Sequence, residues 1–253
     1  MQLIDAFHRE FVAITYDVTI KIEHLRMHEK HLTTLRDTGC LFVTSAVESV
    51  DDAVLLALDK GHTCAGFLHV AGVFRELGMT MHPTFVPFTP WTTAESYIDL
   101  LRTIYQESLV ENVTPIQLGI RLLIPEGSRM LELADIRSAI AAFDAESLVY
   151  PWKNGDARLD HLSETVQEIA AAADRQKLSR FAAFEQIWRV AHAAAGLNPA
   201  PLTAPIASVV PFLSEPWYCC AEPTKDQLVS IGAPRTSGAV APATAVAAAT
   251  DFV

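Results

Sequence analysis

The chain has few cysteines, no long apolar run and no cluster of basic residues, and each shortage removes a class of function. Only four cysteines occur in 253 residues: Cys40, Cys64 and the adjacent Cys219-Cys220. They show no CxxC spacing of the kind that holds a metal, and a disulfide framework is not expected from so few. Half of the residues are apolar, yet no uncharged stretch reaches the roughly 18 to 20 residues that a bilayer-spanning helix needs. The N-terminus, MQLIDAFHREF, is amphipathic and lacks the basic start and apolar core of a secretory signal, so a cytoplasmic protein is expected. With 19 Lys and Arg against 30 Asp and Glu, the formal net charge is −11. Nucleic acids and anionic membranes are held by Lys and Arg clusters that displace counterions. Neither is an expected partner here.

What the chain does have is a recurring alternation of strand-like and helix-like segments. Residues 41–47, LFVTSAV, are apolar and β-branched, and the run stops at Glu48-Ser49. Asp51-Asp52 then precede an apolar helical stretch that Gly61 closes. This reads as a buried strand, a polar turn and a helix whose acidic first turn suits the helix dipole. Glu48 therefore sits where the strand ends, and in α/β sheets the carboxyl ends of the strands are where ligands bind. Further strands are expected at 14–22, 79–86 and 113–124, and helices at 3–10, 24–39, 63–77 and 94–108. Strands separated each time by helical segments predict consecutive βαβ units and a parallel sheet. Right-handed crossovers place the helices on one side, so about four such units make an arc of a barrel or a wound sheet.

The character then changes. Short helical pieces are expected over 130–143. Beyond them Leu159, Leu162, Val166, Ile169 and Ala173, then Leu178, Phe181, Phe184, Trp188 and Ala191, recur at three and four residues and predict a pair of helices. Residues 198–216 are Pro-rich and irregular. After Gly232 the composition is Ala, Pro, Thr and Ser with few large side chains, so a disordered tail is expected. The division that follows is 1–133 for the strand-containing part, 134–231 for a helical extension and 232–253 for the tail.

The carboxyl ends of the expected strands bring Lys21 and Glu23, Glu48 and Ser49, the segment 84–91, and Arg121 to one rim. Carboxylates accept from ribose hydroxyls or an ammonium, cations bind a carboxylate and apolar groups flank a base. Such a rim suits a zwitterionic ligand carrying adenine or a similar ring. The plainer alternative is an ion pair of Lys21 with Glu23 or Glu48 on neighbouring strands. His24, His28 and His31 share one helix face with spacing that can bind zinc, but a solvated polar face is the simpler reading. His62 reads as a capping or turn residue before a helix, and Cys40 and Cys64 as small core residues. Cys219-Cys220 can be a strained vicinal disulfide, a thiolate nucleophile or two ordinary loop thiols.

Several stretches occur together in one family. YDVTIKIEHL, FVTSAVESVDDAVLLALDKGHT, TFVPFTPWTT, IQLGIRLLIPEGS and WYCCAEP, within about residues 1–225, resemble the radical SAM proteins with a CUAEP or CCAEP tail. The Glu48-Ser49 pair is widespread among radical SAM enzymes, whereas the ending Cys219-Cys220-Ala221-Glu222-Pro223 is far more specific. Some members carry selenocysteine at the position matching Cys220. The resemblance implies a partial (β/α) barrel of radical SAM type, followed by a small helical region, with S-adenosylmethionine and a 4Fe-4S cluster as cofactors. It implies hydrogen abstraction by a 5′-deoxyadenosyl radical from a small-molecule or peptide substrate. Lys21 and Glu23, then Glu48 and Ser49, then Phe85 and its neighbours follow the strands that contact the ribose, methionyl group and adenine in that family. Arg121 joins them as a cofactor-binding candidate, and Cys219 and Cys220 are the catalytic candidates.

The departure is the CxxxCxxC loop that ligates the cluster, which this sequence does not contain. Neither Cys40, before a strand, nor Cys64, at a helix start, replaces it on spacing. The chain is therefore expected to be the C-terminal portion of such a protein, without a cluster of its own. Two alternatives stay open: a half-barrel that needs an N-terminal partner bearing the cluster loop, and a non-catalytic thiol-bearing binding module.

Overall fold

β-Branched and apolar runs build a parallel sheet of three strands, in the order β1 (Tyr16–Thr19), β2 (Cys40–Glu48) and β3 (Thr80–Phe85). The structure is a computed structural model and describes residues 2–204 and 210–212. Asp17 lies beside Phe42 and Thr19 beside Thr44; Thr44 lies beside His82 and Ala46 beside Thr84. Side chains alternate across a strand. Val43, Ser45 and Val47 of β2, with Met81, Pro83 and Phe85 of β3, are buried on one face. Thr44, Ala46, His82 and Thr84 are only half-buried on the other.

The helices are α1 (Gln2–Glu10), α2 (Ile22–Met27), α3 (Leu32–Asp37), α4 (Asp52–Ala57), α5 (Cys64–Glu76), α6 (Ala94–Gln106), α7 (Ala134–Ala139), α8 (Ala157–Gln176) and α9 (Arg180–Ala194). Local chemistry starts several of them. The Asp51 carboxylate accepts from the Ala53 N–H at 2.8 Å at the head of α4, and Thr93 with Ser96 forms a reciprocal capping box on α6.

Three expectations need correction. The strand expected at 14–22 is short, because Ile22 already belongs to α2 and Lys21 precedes it as the capping residue. The helix expected at 24–39 is broken into α2, a 3₁₀ turn at Glu29–His31 and α3, with His28 at φ −126°. His24 and His28 therefore share no continuous helix with His31. The fourth strand does not form. Pro115 lacks an N–H and opens a 3₁₀ turn over Pro115–Gly119 instead of a ladder. What is left is a single parallel bridge. Phe88 N–H donates to Ile120 O at 3.1 Å, and Leu122 N–H donates to Phe88 O at 2.8 Å. Leu118, Ile120, Leu122 and Ile124 are all buried. The apolar pattern of this stretch thus reported burial, not strand geometry.

The expected helix pair forms as α8 and α9. α8 lies close against the 3₁₀ turn at Gly119, where a Cβ would stand 2.9 Å from Gln167 Cγ. One apolar core runs from Ile22 to Ala191, so strands and C-terminal helices share it. Among the described residues no helix is long and apolar enough to cross a membrane.

Candidate functional site

The end of β2 carries the most unusual backbone of the sheet. The register slips between Ala46 and Glu48, and Glu48 adopts φ +66°. A non-glycine residue pays about 1–2 kcal/mol for that left-handed conformation. It persists because Glu48 O accepts from Val86 N–H at 2.9 Å and Ser49 N–H bonds Val47 O at 2.9 Å. The Glu48 side chain is buried, and its Oε1 accepts from Lys60 Nζ at 2.6 Å. The ion pair anticipated with Lys21 is therefore made by Lys60.

Lys60 stands in the loop between α4 and α5, flanked by two further left-handed residues, Asp59 at φ +53° and Gly61 at φ +68°. The Glu23 carboxylate, at the start of α2, lies directly over Gly61: a Cβ there would sit 2.9 Å from Glu23 Oε2. His62 is buried, with Nε2 3.2 Å from Val47 O and Nδ1 3.2 Å from Lys60 O. Ser49 Oγ accepts from Asp51 N–H at 3.0 Å, which bends the chain into α4. Two carboxylates, an ammonium and a buried imidazole thus converge where β2 ends.

The other candidates have different surroundings. Lys21 is exposed and makes no side-chain cap bond to α2. Phe85 is 1% exposed and meets Phe67 of α5 edge-on, with ring centroids 6.1 Å apart. Its ring belongs to the core and forms no wall at the rim. Arg121 turns toward α8: Nη1 donates to Asp160 Oδ1 at 2.9 Å and Ser163 Oγ at 3.1 Å, Nη2 donates to Trp152 O at 3.0 Å, and the guanidinium lies 4.0 Å over the Trp152 ring. Cys219 and Cys220 lie outside the described residues. Burial pushes the Cys40 thiol up to about 11 and raises that of Cys64, so both stay protonated at neutral pH. Among the described residues no group of three His, Cys, Asp or Glu is placed to hold a metal ion.

Sequence reasoning missed Lys60 and the bridging role of His62. Their signal was the tripeptide Lys60-Gly61-His62, in which Gly61 was read as the close of one helix and His62 as a capping or turn residue before the next. It also missed His82, whose Nδ1 is 2.9 Å from Asn112 O and whose Nε2 is 2.6 Å from Pro211 O on the half-buried sheet face. Burial lowers the proton affinity of His82, against the two carbonyl hydrogen bonds.

No family model matches the sequence, and no curated protein matches it. Solved structures do. The cobalamin-dependent S-adenosylmethionine radical enzyme OxsB with aqua-cobalamin bound aligns at a TM-score of 0.54 and 13% identity over 68% of this chain. Its form with both aqua-cobalamin and S-adenosylmethionine bound aligns at 0.54 and 14% identity. The fold resembles part of the OxsB radical SAM enzyme's fold. This chain spans 31% of the OxsB chain. The Elp3 of Methanocaldococcus infernus, truncated at its N-terminus, aligns at 0.43 and 12% identity over 65% of this chain and 42% of its own. What the radical SAM likeness covers here is a three-strand parallel sheet with flanking helices.

Proposed function

We propose that this chain is part of a radical SAM enzyme of the CUAEP/CCAEP-tail family, and that the carboxyl edge of β1 to β3 receives the S-adenosyl nucleoside. The observation that carries the reading is Glu48: a buried carboxylate on a left-handed residue at the strand end, held by Lys60. Backbone strain of this kind clusters at functional sites. The donor set fits the cofactor. Glu48 would accept from ribose hydroxyls, Glu23 would accept from the methionyl ammonium, and Lys60, Lys21 and Ser49 would face the carboxylate and remaining polar atoms. When bound, S-adenosylmethionine supplies one-electron hydrogen-abstraction chemistry. This chain's residues bind and orient it.

The described cysteines do not fit a 4Fe-4S cluster. Cys40 begins β2 and Glu48 ends it, Cys64 starts α5, and both thiols are held protonated by burial. The reading in which an N-terminal half-barrel partner brings the cluster loop is favoured by a specific feature. Among the described residues β1 pairs on one side only, and the adjacent α1 buries no residue, leaving Leu3 82% exposed. An open parallel edge suits a further β/α unit, and the exposed apolar residues of α1 are available to a partner. Cys219 and Cys220 are proposed as the thiols that act on the substrate.

The test is equilibrium binding of S-adenosylmethionine and S-adenosylhomocysteine to the purified chain by calorimetry. Glu48→Ala is expected to weaken both by about tenfold or more, as loss of a charge-assisted hydrogen bond does. Equal affinity in the variant, or no binding by the wild type, would overturn the assignment of Glu48. A stoichiometric 4Fe-4S spectrum after anaerobic reconstitution of the chain alone would overturn the partner reading.

A further inference from the structure

We infer that His62 is a positioning residue for the Glu48–Lys60 pair, an inference that rests on reading this edge as the nucleoside site. Thr63, not His62, caps α5, its Oγ1 accepting from Gly66 N–H at 3.2 Å. The imidazole is therefore not used at the helix start. It is buried and reaches across to the carbonyl oxygens of Val47 and Lys60, each at 3.2 Å. Val47 immediately precedes Glu48, so one ring lies 3.2 Å from carbonyl oxygens on both halves of the ion pair and donates to at least one of them. A neutral imidazole donates to one of these carbonyls, and an imidazolium donates to both.

The need for such a tie follows from the loop itself. Lys60 lies between Asp59 and Gly61, both left-handed, and its side chain is 27% exposed. A lysine on a flexible stem at a half-exposed rim holds a carboxylate weakly unless its backbone is fixed. His62 fixes that backbone to the end of β2. Glu48 is then presented at one orientation, with its charge balanced before a ligand arrives, which is what a preorganised binding group requires. Gly61 of the same loop allows the close approach of the Glu23 carboxylate from α2, so the loop lies against both carboxylates.

The experiment reads the lysine directly. Reductive methylation of the full chain with formaldehyde, followed by mass spectrometry, gives the modification rate of Lys60, with the 81%-exposed Lys177 as internal reference. In His62→Phe, which has no donor, the Lys60 rate is expected to rise by about threefold, the scale of a lost rim ion pair, with Lys177 unchanged. His62→Gln, which keeps one donor, is expected to fall between. Calorimetry on the same proteins should show S-adenosylmethionine bound several-fold more weakly by His62→Phe and recovered in part by His62→Gln. An unchanged Lys60 rate overturns the positioning role, and so does an equal rise at Lys177, which would mean general loosening. If His62→Phe does not fold, a wild-type Lys60 rate in His62→Gln overturns it. A raised Lys60 rate in a chain that never binds S-adenosylmethionine supports the tie and removes the nucleoside reading alone.

Discussion

Two ion pairs of this chain have similar lengths and opposite surroundings. Lys60 meets Glu48 at 2.6 Å, and Arg121 meets Asp160 at 2.9 Å. Arg121 also bonds Ser163 and the Trp152 carbonyl and stacks on the Trp152 ring. Its fork of donors is used within the protein, between the 3₁₀ region and α8. Glu48 stands on a strained residue, has one flexible cation for its Oε1, and lies at the strand end where the α/β architecture opens. The difference separates a pair embedded in a wider network of hydrogen bonds and stacking from a pair that stands on a strained strand end. Sequence position alone put both residues on the same rim.

The comparison breaks if Arg121 proves dispensable. Arg121→Ala leaves Asp160 without its cation and Trp152 without its stacking partner, and it is expected to cost about 3 kcal/mol in urea unfolding. S-adenosylmethionine affinity per folded molecule should stay unchanged. Gly119→Ala tests the packing on which the Arg121 network depends, because the new methyl meets Gln167 of α8. A loss of about 2 kcal/mol is expected from that overpacking. Glu48→Gly sets two opposed terms against each other: it removes left-handed strain of about 1–2 kcal/mol but breaks an ion pair whose carboxylate is buried, so a net change within about 1 kcal/mol is expected. Unfolding midpoints no lower than wild type, together with lost ligand binding, would show that strain is maintained there for function.

The smallest effect expected is in pH. Burial lowers His82 from its ordinary value of 6.5, with Arg180 acting in the same direction and Asp17 and the carbonyls of Pro211 and Asn112 opposing. Below 6.5 the unfolded chain takes up a proton that the folded chain resists. Stability is therefore full above that pH and declines as pH falls through and below it. Urea midpoints at pH 7.5 and pH 5.5 should differ more in the wild type than in His82→Phe.

Much of the fold could be read from pattern. The β-branched run ending at Glu48, the acidic residues before α4 and the three-and-four periodicity of α8 and α9 are local signals, and each produced the expected element. The fourth strand failed because alternating apolar residues after Pro115 answer equally to a buried irregular segment. Glu48 was legible because a strand end is a local feature. Lys60 and His62 were not, since what joins them to Glu48 is a contact twelve and fifteen residues away along the chain.

The sequence by itself determined the strand that ends at Glu48, the helix pair α8 and α9 and the parallel run of β1 to β3, because their signals lie in residues a few positions apart. Only the tertiary structure decided which charges meet. Arg121 and Glu48 differ in what packs around them, and that is set by the path of the chain through the core: α8 comes up against one, and the α4–α5 loop folds back on the other.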